Sequence, residues 1–211
     1  MTRNQSIGLA AVVAIVAIAG GMLLSHALLD RSGGPTLAKA TLLEPARPLP
    51  PMAFVDQDNQ PFGPERLRDR WSILFFGFTH CPDVCPTTLA LLAQVEKQLT
   101  DLPTEQRPQI VLMSVDPQRD TPEQLAKYVK SFSPTFTGVT GTQEAMHEFA
   151  LKLGVPVAIT QQPGGGYTVD HSAAIFIVDP NGSLRALSST PHNVPIIASD
   201  YRSIVAASPR S

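Results

Sequence analysis

Residues 71–86 read WSILFFGFTHCPDVCP, and they decide the fold. Trp71 to Phe78 is a short run of aromatic and β-branched residues without a charge. Such a run, too short for a buried helix, predicts a buried strand. From Pro86 to Leu99, PTTLALLAQVEKQL, the apolar residues recur at helical spacing. Between strand and helix lie Cys81 and Cys85, the chain's only two cysteines. A strand that turns directly into a helix is the first half of a crossover unit. In open α/β sheets, ligands favour that junction at the carboxyl edge of the strands.

The following segments repeat the pattern. Gln109 to Val115 (QIVLMSV) predicts a second buried strand, and 116–122 (DPQRDTP) a loop. Thr121 and Pro122 suit the cap and first position of a helix over Glu123 to Phe132. Gln143 to Leu153 predicts a third helix, ended by Gly154. Val155–Ile159 and Tyr167–Val169 flank QQPGGG and predict two strands joined by a mobile loop. Ala173 to Val178 predicts a strand, Asp179-Pro180-Asn181-Gly182 a tight turn, Ser183 to Leu187 its partner, and a last helix follows Pro195. The predicted fold is α/β, with a mixed central sheet flanked by helices.

Three zones divide the 211 residues. Ile7 to Leu29 carries no charge. As a helix it would be roughly 35 Å long, enough for a bilayer core of about 30 Å. Residues 1–30 are therefore expected to be an N-terminal transmembrane anchor, or else a signal segment cleaved after Ala27; the length of the apolar run favours the anchor. Arg3 before the run favours a cytoplasmic N-terminus with the rest of the chain across the membrane. Residues 31–51, with Pro45, Pro48, Pro50 and Pro51, read as an extended tether, and 52–211 as the globular head. A net charge of −2 and sparse aromatics exclude the electrostatic footprint of a nucleic-acid binder.

Two cysteines do not make a disulfide framework, so the pair is read as chemical. With a helix starting near Pro82, Cys81 and Cys85 are one turn apart and share a face. A helix N-terminus lowers a thiol pKa, whereas Asp83 in the first turn opposes thiolate formation, so the residues alone leave the net pKa open. Such a pair suits either a soft metal, with copper and zinc as first candidates, or a reversible disulfide. A metal site needs a third ligand. His26 lies in the apolar run, His80 should point away from Cys81, and His147 reads as part of a solvated helix face. His171, just before a strand and just after the Gly-rich loop, is the better candidate, with His192 in reserve.

FGFTHCPDVCP, SVDPQRDTPEQL and GYTVDHSAAIFIVDPNG, in this order, resemble the Sco/SenC family of copper proteins. The likeness runs from about Phe54 to Val205. It implies a thioredoxin-like fold tethered to a membrane, in its bacterial form at the inner membrane with the head in the periplasm. It implies that Cys81, Cys85 and His171 hold copper, and that the protein passes it to the binuclear copper site of cytochrome c oxidase subunit II. Two thiolates and one imidazole suit Cu(I); Cu(II) would want further nitrogen or oxygen ligands. Another copper chaperone as donor and a thioredoxin-like reductant are the further partners expected. Asp83, Asp116 and Arg119 match the family pattern, with Asp116 and Arg119 expected to shape the loop beside the site. The competing reading is a thiol–disulfide reductase acting through Cys81 and Cys85 on the acceptor's cysteines. A peroxiredoxin-like peroxidase fits less well, because the C-x3-C pair is atypical for it.

Overall fold

The computed structural model describes residues 13–25 and 35–208. The chain divides into two compact units at Pro35/Thr36. In the first, 13–25 are helical with exposed side chains; the remainder of the expected 1–30 anchor lies outside the described residues. Among the described residues, no helix is long and apolar enough to cross a membrane.

Among the described residues, the second unit holds ten strands and four α-helices. The strands are β1 (Thr41–Pro48), β2 (Phe54–Asp56), β3 (Pro61–Phe62), β4 (Ser72–Gly77), β5 (Gln109–Ser114), β6 (Thr137–Thr140), β7 (Val157–Gln161), β8 (Tyr167–His171), β9 (Ile175–Val178) and β10 (Ser183–Ser188). The helices are α1 (Val84–Gln98), α2 (Pro122–Lys130), α3 (Gln143–Lys152) and α4 (Val194–Ala207). Eight strands form one mixed sheet in the order β1-β10-β9-β4-β5-β6-β2-β3. β4, β5 and β6 run parallel, and β9 is antiparallel to β4. Strands β4 and β9 are buried at every position, which is why their sequences are unbroken apolar runs. α1 packs against α4, and α2 lies along β6. β7 and β8 form a separate two-stranded sheet.

The main difference from the sequence reading is at the tether. Residues 41–48 are an outer strand of the sheet, antiparallel to β10. Proline is tolerated there because an edge strand leaves one row of N–H groups unpaired. Pro45 falls inside an irregularity in the pairing between Leu42 and Arg47. The segment just before β1 is pinned as well. Asp200, buried on α4, accepts hydrogen bonds from the backbone N–H of Ala38 (2.7 Å), Lys39 (2.9 Å) and Ala40 (2.8 Å). The globular unit therefore begins near Thr36, not at residue 52. Strands β2, β3 and β6 were not legible in sequence. They are two to four residues long, too short for a period to show.

Candidate metal and thiol site

The site lies at the carboxyl end of β4, where the chain turns into α1. The helix starts at Val84 with Asp83 at its N-cap, two residues later than the sequence suggested. Cys81 therefore precedes the helix and Cys85 sits in its first turn. Asp83 caps no backbone N–H with its side chain; its carboxylate accepts from the Thr87 hydroxyl instead (3.3 Å). The Cys85 N–H, one of the donors a helix start leaves unpaired, points at Cys81 Sγ (3.4 Å). The two thiols are thus coupled through the helix start, and both are free.

Cys85 is fully buried and Cys81 half-buried. Burial pushes the Cys85 thiol far above its ordinary pKa, and the neighbouring Cys81 adds to the rise. The balance that the residues alone left open is thus decided by burial: desolvation outweighs the helix N-terminus. A glycine makes the close approach of strand and helix feasible. A Cβ on Gly77 would stand 3.0 Å from Leu112 Cδ1 and 3.1 Å from Cys85 Sγ.

His171, at the end of β8, meets this pair. Its Nε2 is 3.7 Å from Cys85 Sγ, and its ring stands edge-on to Phe78 (5.9 Å between centroids) and Phe75 (6.5 Å). Its Nδ1 is 2.9 Å from the Ser172 carbonyl. A carbonyl only accepts, so Nδ1 carries the proton and the Nε2 lone pair faces the sulfur. Burial holds the His171 pKa below the usual histidine range, so the ring is neutral near pH 7. The structure brings Cys85 and His171 into contact, with Cys81 joined through the Cys85 N–H. Among the described residues, no three His, Cys, Asp or Glu side chains form a group able to hold a metal ion as they stand.

The other histidines are engaged elsewhere. His192 Nε2 donates to the Ala173 carbonyl (2.7 Å), which removes it from contention as a ligand through that nitrogen. His147 is not on a solvated face: it is half-buried, and its Nε2 donates to the Val115 carbonyl at the end of β5 (2.8 Å). His80 is exposed and contacts the Thr79 hydroxyl (3.0 Å). His26 lies outside the described residues.

Sequence reasoning missed the support around the site. Asp120 is completely buried and accepts from Thr79 N–H (3.2 Å), Thr79 O–H (2.6 Å) and Ser114 O–H (2.7 Å). Burial raises its pKa against the opposing pull of these hydrogen bonds. In sequence it is one more polar residue of a loop, and only its burial distinguishes it. Asp116 and Arg119 do shape that loop, as expected. They form an ion pair, and Asp116 also accepts from the Tyr167 phenol (2.7 Å).

Comparison with known proteins bears on family and fold. The SCO1/SenC family model matches residues 41–206. A Stutzerimonas stutzeri protein named for copper binding is 42% identical over 166 residues, covering 79% of this chain and 78% of that one. The mitochondrial SCO1 homolog 1 of Arabidopsis thaliana is 33% identical over 76% of this chain, but the match spans only 46% of that longer protein. Arabidopsis thaliana ScoI with copper bound superimposes with a TM-score of 0.69 at 31% identity, over 74% of this chain and 96% of the other. BsSco, described as having a disulfide switch and as a member of the Sco family of cytochrome c oxidase assembly proteins, superimposes with a TM-score of 0.62 at 28% identity, over 80% and 98%. Family match, site motif and mixed thioredoxin-like α/β architecture coincide over the same residues, and the chain belongs to the SCO1/SenC family.

Proposed function

We propose that this chain is a membrane-tethered copper chaperone that binds Cu(I) through Cys81, Cys85 and His171 and passes it to the binuclear site of cytochrome c oxidase subunit II. The observation that carries the reading is the free Nε2 lone pair of a neutral His171, 3.7 Å from Cys85 Sγ. Sulfur and imidazole nitrogen bound to one metal at about 2.3 and 2.0 Å, and 120° apart, would be separated by about 3.7 Å. Cys85 and His171 already keep that spacing. Cys81, the outer thiol, completes the set by turning from the Cys85 N–H toward the same point.

Two thiolates and an imidazole form a soft, low-coordinate donor set that favours Cu(I). Cys85 gives up its thiol proton when the metal binds. With few ligands and Cys81 at the surface, copper can leave by stepwise substitution onto an acceptor's cysteines. The apolar run 7–29 supports a single-pass anchor in a bacterial inner membrane with the head in the periplasm. The BsSco likeness supports the oxidase as the destination. A second chaperone as copper donor and a thioredoxin-like reductant that keeps both thiols reduced complete the proposed set of partners.

The test is anaerobic Cu(I) titration of the reduced full chain beside Cys81→Ala, Cys85→Ala and His171→Ala. One-to-one binding that is lost in Cys81→Ala and Cys85→Ala and falls sharply, to a level still measurable, in His171→Ala is the expected result. A second reading rests on the same two free thiols. As a reductase, the pair would give two electrons and two protons to an acceptor disulfide and become a disulfide itself. Weak copper binding together with a disulfide that cycles equally well in His171→Ala would select that reading.

A further inference from the structure

The two halves of the site come from different parts of the chain: the β4–β9 pairing (Phe75 opposite Ile175) brings their roots together, but His171 itself lies before β9, on a strand outside the main sheet. Cys81 and Cys85 belong to the β4–α1 turn, whereas His171 ends β8, whose strand pairing is with β7 alone. The β7–β8 hairpin is largely exposed, and its tip holds Gly164, Gly165 and Gly166 at φ of +96°, +96° and +86°. Its place on the body depends on side chains. Tyr167, Val169 and His171 alternate along β8 and so share one face. Val169 is buried in the core, and Tyr167 lies against the loop between β5 and α2.

That loop, 115–121, reaches both halves from adjacent residues. Asp120 holds the cysteine segment through Thr79 N–H and O–H, two residues before Cys81. Arg119 holds the histidine hairpin. Its guanidinium carbon stands 4.0 Å from the Tyr167 ring centroid and 5.7 Å from that of Phe78, the ring that His171 meets edge-on. Arg119 Nη1 donates to the Tyr167 carbonyl (3.3 Å), and the ion pair with Asp116 fixes its other edge. Tyr167 in turn donates its phenol to Asp116. Arg119 Nη2 is buried without a hydrogen-bond partner. Stack, ion pair and hydrogen bond together fix the guanidinium between the loop and the hairpin.

We propose that loop 115–121 is the bracket that sets the distance between the cysteines and His171, and that Arg119 and Tyr167 are its positioning residues on the histidine side. Neither touches the metal. Arg119 clamps Tyr167, Tyr167 orients its face of β8, and that face delivers His171 to Cys85. The proposal rests on the copper reading for its functional consequence, but not for its structural content.

A double-mutant cycle tests it. Cu(I) affinity is measured by competition with a chromophoric chelator for the full chain, Arg119→Lys, Tyr167→Leu, His171→Ala and each positioning variant combined with His171→Ala. Lysine keeps the charge but loses the planar stack. Each positioning variant is expected to weaken Cu(I) binding by about 10-fold, as loss of an outer-shell support does, and by less than about twofold when His171 is already absent. In the reduced, metal-free chain the nuclear Overhauser contact between the His171 and Phe78 rings should fade in both positioning variants. Equal loss of affinity with and without His171, or a ring contact that survives in both variants, would overturn the bracket. If the wild-type chain takes no Cu(I), the copper reading fails, and the bracket stands or falls on the ring contact alone.

Discussion

His171 and Cys85 are conditioned by burial in opposite electrostatic senses. Burial disfavours the charged form of each, which leaves the imidazole neutral and the thiol protonated. A histidine whose folded pKa is depressed lets the unfolded chain bind more protons at low pH. Stability should therefore fall as pH drops from the ordinary histidine value, about 6.5, through the lower folded value. Urea denaturation between pH 7 and pH 5 should show this loss in the wild type and a smaller one in His171→Ala. Equal slopes would remove His171 as its source. For Cys85 the consequence is proton release. Apparent Cu(I) affinity should rise with pH across the neutral range, because the buried thiol must ionise as it binds. Calorimetry in buffers of differing ionisation enthalpy reads the proton directly, and binding heats independent of buffer would contradict it.

Elements impose the next constraint. β4 and α1 approach closely only because Gly77 has no side chain beside Cys85 Sγ. Gly77→Ala is expected to cost about 1–3 kcal/mol as an overpacked core does, and to weaken Cu(I) binding by displacing the buried sulfur. Chemical denaturation and titration of the same variant would measure both, and an unchanged affinity would show that the sulfur has room to move. At the β1 edge of the sheet, Asp200 gathers three backbone N–H groups and so fixes the entry into β1. Asp200→Ala should lower stability by about 1–3 kcal/mol and speed amide exchange at residues 38–42. Exchange that stays at the wild-type rate there would mean that β1 is held by its pairing with β10 alone.

For the whole molecule, the point where the head meets its leader is set by Asp200 and β1 near residue 36, not by a free spacer reaching residue 51. Residues 30–35 separate the apolar run from the first anchored residues in sequence. The anchor reading predicts that the full chain stays with the membrane fraction after alkaline carbonate extraction, and that a chain lacking residues 1–30 does not. Release of the full chain by carbonate would refute an integral anchor and point to a cleaved leader.

The order of strands and helices was legible in the residues wherever a segment formed an unbroken apolar run or showed a helical period. Trp71–Phe78, Gln109–Val115 and Ala173–Val178 are such segments, and each contains a core strand. The candidate site was legible too, because Cys81 and Cys85 are the only thiols and lie at a strand-to-helix junction. That Thr41–Pro48 joins the sheet emerged only in the fold. Proline argues against a strand locally, and only an open edge beside β10 makes one acceptable. Only the tertiary structure separated His171 from His192 by contact, because a histidine's role depends on what faces each ring nitrogen. The protonation of Cys85 was likewise beyond reach. The helix start and the opposing Asp83 are visible in sequence, whereas the desolvation that decides between them comes from residues far away in the chain. Asp120, Arg119 and Tyr167 were legible as residues but not as a bracket. Burial and stacking are properties of the folded neighbourhood, and no local pattern encodes them.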